Sequence, residues 1–160
     1  QMGCMSTSAQ YDKVCGFIER AKASGARIAA GGAPEGVPEE GLFVRPTLVC
    51  DVDPDAEVAR EEIFGPVLTV LKWRDEAEML GIVNGLDVGL TASIWTQDLN
   101  TAMRLSGRIE AGYVWINDAS DHYLGAPFGG VKQSGIGREE CLGEMLAYTE
   151  NKTVTVVVPQ

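Results

Sequence analysis

An α/β fold, built as a largely parallel open sheet with flanking helices, is predicted for this chain by two observations. Short β-branched or aromatic runs alternate with stretches of helical periodicity along most of its length, and strands alternating with helices pair in parallel through crossover connections. A length of 160 residues, with 45% hydrophobic and 22% charged residues, is enough for one globular core.

The first helix is expected to begin near Ser6, Thr7 or Ser8, any of which can cap it. Val14, Phe17, Ile18 and Ala21 then recur at helical spacing, and Gly25 ends the element. Residues 27–30 read as a short strand, and the Gly- and Pro-rich stretch 31–38 as a surface connection, because a strand rather than a helix follows it. Residues 42–50 read as a strand interrupted by Pro46, which predicts an edge or a bend. The acidic run 51–61 has Pro54 suited to a first helical turn. Beyond it, 67–73 is apolar enough for a buried strand. The pattern continues with a helix over 75–84, a strand over 91–95, a helix over 100–108 and a strand over 113–117. A returning helix is expected over 138–148, with Leu142, Met145 and Leu146 as its core stripe. The tail, Thr153, Val154, Thr155, Val156, Val157 and Val158, is β-branched throughout, and such a strand requires a partner.

A formal charge of −10 disfavours a nucleic-acid partner, since phosphate binding needs clustered Lys and Arg. No apolar run reaches the ~18 residues that span a bilayer, so no membrane segment is expected. Four cysteines without a C-x-x-C pair, and one histidine, give a metal site little to build on. They read as reduced thiols of a cytoplasmic protein.

The stretch most suggestive of chemistry is Glu61-Glu62-Ile63-Phe64-Gly65-Pro66. Gly65-Pro66 breaks regular structure just before a strand. In an extended segment residues i and i+2 share a side, which would let Glu62 and Phe64 address one ligand. A carboxylate accepts hydrogen bonds from two vicinal hydroxyls and an aromatic face packs on a flat heterocycle, a pairing that suits a ribose joined to a ring. A second candidate region, 118–126, follows the strand over 113–117, where α/β proteins place ligands. It carries Asp118, Ser120, Asp121, His122 and Tyr123, ahead of Pro127-Phe128-Gly129-Gly130.

Taken with Val131-Lys132-Gln133-Ser134-Gly135-Ile136-Gly137-Arg138-Glu139, these motifs resemble, in order and spacing, those of the aldehyde dehydrogenase superfamily. The likeness runs from Met2-Gly3 through Arg45-Pro46-Thr47 to Lys152-Thr153-Val154. It implies that Glu62 binds the nicotinamide ribose of NAD or NADP, that Phe64 packs by the nicotinamide, and that Ser120, His122 and Phe128 line the passage for an aldehyde. It also implies oxidation of that aldehyde to a carboxylic acid through a cysteine thiolate and a glutamate-activated water.

Members of the family are considerably longer, and this chain starts at Gln1, so a C-terminal portion is expected. Residues 1–133 would belong to the catalytic domain, 134–149 to a returning helix and 150–160 to an oligomerisation strand that makes a homodimer or homotetramer. Cys4 lies at the wrong spacing for the family nucleophile. No catalytic residue is therefore assigned; nucleophile and base are expected upstream, leaving this piece inactive by itself. Two other readings stand beside this one: an acylating or semialdehyde-specific relative, and a non-catalytic oligomerisation module.

Overall fold

The computed structural model describes residues 2–32 and 40–159, and the chain divides into two compact units, Gln1–Asp75 and Glu76–Gln160. In the first, helix α1 (Ser8–Ala23) is capped by Thr7, whose hydroxyl accepts from the Gln10 amide at 3.2 Å. Its expected stripe, Val14, Phe17, Ile18 and Ala21, is buried with Val49, Val58 and Ile63. That face packs on a sheet of three strands, β1 (Arg27–Ala30), β2 (Thr47–Cys50) and β3 (Val67–Val70). β1 pairs antiparallel with β2, and β2 pairs parallel with β3 in the register Thr47 opposite Val67.

Pro46 does not mark an edge. β2 is the middle strand and starts one residue after Pro46, so the missing N–H falls outside the ladder. β3 is shorter than the apolar run and alternates, with Leu68 and Val70 exposed, because the segment presents only one face to the core. The acidic run yields a single turn, α2 (Glu57–Arg60), and Pro54 sits in the turn before it. The Arg20 guanidinium, 2.7 Å away, ties α2 to α1 and holds the Glu57 carboxyl below its ordinary range. Most of the expected loop 31–38 lies outside the described residues.

The second unit contains α3 (Glu76–Asn84), β4 (Val88–Gly89), β5 (Thr91–Ile94), α4 (Leu99–Ser106), β6 (Tyr113–Ile116), β7 (Val131–Lys132) and α5 (Leu142–Ala147). β5 and β6 are parallel, and β4 and β7 form a small antiparallel pair. Leu80, Ile94 and Leu105 make its core, flanked by Met79, Ile109 and Val114. Asp98 caps α4 through the amides of Asn100 and Thr101. Glu76 at the start of α3 receives Arg104 at 2.5 Å and Arg108 at 2.9 Å, and its carboxyl is held below the ordinary range chiefly by Arg104.

The returning helix is shorter than its periodicity predicts. Residues before Leu142 bond to other segments instead, and Glu140 has a left-handed backbone (φ 61°) that no helix accommodates. Leu142, Met145 and Leu146 are exposed in this chain and do not form core. Residues 151–159 carry no strand assignment, and Val154, Val156, Val157 and Val158 are exposed. No helix among the described residues is long and apolar enough to cross a membrane.

Candidate functional site

In the first unit, Glu61 to Pro66 forms the turn that feeds β3. Three features of α1 hold it. The Gln10 side-chain amide donates to the Ile63 and Phe64 carbonyls, both at 2.8 Å, and Lys13 Nζ donates to the Glu62 carbonyl at 3.3 Å. Ile63 is buried in the core beside Val14 and Phe17. Gly65 lies against Val14 so closely that a Cβ would stand 2.4 Å from a valine methyl.

Phe64 has φ 54°, so the turn is not extended through it. What sends Glu62 and Phe64 outward is the inward anchor Ile63 between them and this left-handed residue, not strand alternation. Phe64 is 67% exposed, with Lys13 Nζ 5.8 Å from its ring centre. Glu62 is exposed, and its carboxylate has no hydrogen bond or ion pair among the described residues. A carboxylate without a partner and an exposed ring on a fixed backbone can address hydroxyls and a flat ring.

In the second unit, the segment 118–126 leaves the carboxyl end of β6. Asn117 closes that end: its amide donates to Ile94 O at 2.8 Å, and its side chain exchanges two bonds of 2.8 Å with Thr96. Asp118 shapes the loop as a backbone partner, accepting from the Ala119 amide through its carboxylate and from Ser93 Oγ through its carbonyl. Trp115 Nε1 donates to Asp121 O at 2.7 Å and holds the loop down on the strand.

Of the predicted pocket residues, the rings of His122 and Phe128 come together. The two rings lie 4.4 Å apart by centroid, and Tyr113 and Trp115 each stand 5.9 Å from the imidazole. Tyr113 and Trp115 share a face of β6 at spacing two. Ser120 is exposed, with φ 70°, and its hydroxyl has no partner among the described residues. One neighbour is not foreseeable from sequence: Glu140 Oε1 lies 2.8 Å from His122 Nδ1. Nor were the turn's holders Gln10 and Lys13 singled out, although Gln10 is four residues before Val14 on the buried stripe, where a polar residue needs a partner.

The Gly129-Gly130 to Arg138 motif is scaffold. A Cβ at Gly129 would lie 2.3 Å from Gly137 O, and Arg138 Nη1 donates to the carbonyls of Gly130 and Gly137 at 2.7 Å. Lys132 Nζ is spent on Asn84 O at 2.6 Å, Leu86 O at 2.9 Å and the Glu110 carboxylate at 2.6 Å. All four cysteines are unpaired, with Cys4 exposed and Cys50 buried. No cluster able to hold a metal occurs among the described residues.

The profile of the aldehyde dehydrogenase family matches residues 1–154. The chain is 49% identical over 160 residues to aldehyde dehydrogenase tropH of Talaromyces stipitatus, covering 97% of this chain and 31% of that protein. It is 46% identical over 157 residues to betaine aldehyde dehydrogenase of Sinorhizobium fredii, covering 98% and 32%. Among solved structures it superimposes on the NAD+ complex of aldehyde dehydrogenase from Bacillus cereus with a TM-score of 0.90 at 42% identity, over 99% of this chain and 32% of that one. The chain thus spans about a third of the length of the relatives it matches. Because the profile covers almost every residue and the fold superimposes at this identity, the protein belongs to the aldehyde dehydrogenase family.

Proposed function

We propose that this chain is part of an NAD(P)-dependent aldehyde dehydrogenase that oxidises an aldehyde to a carboxylic acid. The observation that carries this is the pinned turn with the unpartnered Glu62 carboxylate and the exposed Phe64 ring. Glu62 would accept hydrogen bonds from the hydroxyls of the nicotinamide ribose, and Phe64 would limit rotation of the ring by packing beside it. When bound, the nicotinamide takes hydride from the substrate. Ser120, His122 and Phe128 are assigned to the wall of the aldehyde passage, supported by their place on the loop leaving the carboxyl end of β6. The NAD+ complex reported for the Bacillus cereus relative supports NAD or NADP as cofactor. Unpaired cysteines agree with a cytoplasmic protein.

No residue of this chain is assigned as nucleophile or base. The full-length protein is therefore expected to form NADPH or NADH with a panel of aldehydes, whereas the purified 160-residue chain forms none and Cys4→Ser changes nothing. Turnover by the short chain that Cys4→Ser abolishes would contradict the assignment.

We further assign Thr153 to Val158 to homo-oligomerisation, because they have exposed valines and no strand partner among the described residues. Their removal from the full-length enzyme is expected to lower the assembly mass measured by light scattering. An unchanged number of protomers would contradict this.

A further inference from the structure

His122 sits inside a cluster of rings and yet is tethered by a carboxylate. Tyr113, Trp115 and Phe128 surround its imidazole, and the interplanar angles to Tyr113 and Trp115 are both 27°. Glu140 Oε1 stands 2.8 Å from Nδ1, with both side chains about one-third exposed. Glu140 is itself heavily constrained. The Gly125 amide donates to its carbonyl at 2.8 Å, and its own amide donates to Glu144 Oε2 at 2.7 Å. Its neighbour Glu139 exchanges backbone bonds of 2.7 and 3.0 Å with Phe128. The second oxygen, Oε2, is sealed from solvent with no hydrogen-bond partner.

A sealed, unpaired carboxylate oxygen is unfavourable, and so is a left-handed backbone at a residue other than glycine. Both are found at the residue that holds His122. A carboxylate only accepts, so the proton between the two residues belongs to Nδ1. The tautomer is thereby set and Nε2 is left as the one polar atom of the ring without a partner among the described residues.

We propose that Glu140 is a positioning residue for His122, and that the pair selects a planar aldehyde bearing a hydroxyl group, whose ring packs against Phe128 and whose hydroxyl bonds to Nε2. A hydroxyl suits either protonation state of the imidazole. It donates to the Nε2 lone pair when the ring is neutral and accepts from Nε2–H when it is charged, whereas an ether or carbonyl serves only the second. Phe128 offers a flat apolar contact for the substrate ring, and Trp115 Nε1 is already spent on Asp121 O. This inference rests on the assignment of His122 to the aldehyde passage and adds the class of substrate.

The test uses the full-length enzyme with 3- and 4-hydroxybenzaldehyde against benzaldehyde, comparing ratios of kcat/KM so that intrinsic reactivity cancels between variants. Wild type is expected to favour one hydroxylated substrate, and His122→Phe to cut that preference about tenfold, the range of one hydrogen bond to a site group. Most of the change should lie in KM. Glu140→Leu is expected to produce the same loss, and the double variant no more than either alone, because the two act as one unit. Glu140→Gln keeps an acceptor for Nδ1–H and should retain most of the preference, which a merely structural role for the carboxylate would not predict. A hydroxyl preference that survives both His122→Phe and Glu140→Leu overturns the inference while leaving aldehyde oxidation intact. So does a wild-type enzyme that oxidises only aliphatic aldehydes. An enzyme that oxidises no aldehyde overturns the underlying function as well.

Discussion

The turn over 61–66 and the loop over 118–128 are held by different means. In the turn, α1 grips the backbone: Gln10 and Lys13 bind three consecutive carbonyls while the side chains of Glu62 and Phe64 stay exposed. In the loop, backbone bonds at Gly125 and Phe128 are joined by side chains that grip one another: the imidazole of His122 is fixed by Glu140 and bordered by three rings. A turn pinned through its backbone can offer the same two groups to an invariant ligand. A loop ordered through its side chains changes shape whenever one of them changes, which suits a variable substrate.

Breaking each support separately separates the two modes. The largest expected effect is Gly65→Ala in the full-length enzyme. Its Cβ would meet Val14, which is fully buried, at 2.4 Å. Overpacking of that kind costs about 1–3 kcal/mol, read as a fall in thermal stability, and it should spread through the first unit's core because Val14 also packs with the others of that cluster. Trp115→Phe acts more locally: it removes the Nε1 bond to Asp121 O, worth about 1 kcal/mol, and part of a buried indole, while keeping an aromatic ring in the cluster. Its effect should be local: faster amide exchange over 118–126 by hydrogen–deuterium exchange, with the turn over 61–66 unaffected. Equal spread in both variants would erase the distinction between the two modes of support.

The same contrast explains what could be read from sequence. Val14, Phe17, Ile18 and Ala21 announced α1 and its buried face because helical periodicity is a local signal. The turn carrying Glu62 and Phe64 was legible for a related reason, since the glycine and proline after them mark it. The alternation argument was nonetheless the wrong cause, as the left-handed Phe64 shows. Pro46 misled because the missing donor is harmless one residue ahead of a ladder. The two-residue strands β4 and β7 carry too few residues for any period to show. Glu140 left no trace at all. It lies 18 positions from His122, and long-range backbone bonds, Phe128 with Glu139 and Gly125 with Glu140, bring it near. Those bonds also shortened the returning helix, a long-range pairing that periodicity within 138–148 does not contain.

The pinned turn is proposed to position the nicotinamide end of the cofactor. That role is tested most directly by pre-steady-state hydride transfer in the full-length enzyme, using deuterated and ordinary aldehyde, for wild type, Glu62→Gln and Phe64→Ala. Bonds to a charged group are worth about 1.5–3 kcal/mol against about 1 for a neutral one, so Glu62→Gln is expected to slow the isotope-sensitive step roughly tenfold. Phe64→Ala should slow it in the same direction, and both should weaken NAD(P) affinity less than they slow the step. Unchanged hydride transfer in both variants, with the fold intact, would contradict the account and leave Glu62 and Phe64 as ordinary exposed residues of a turn.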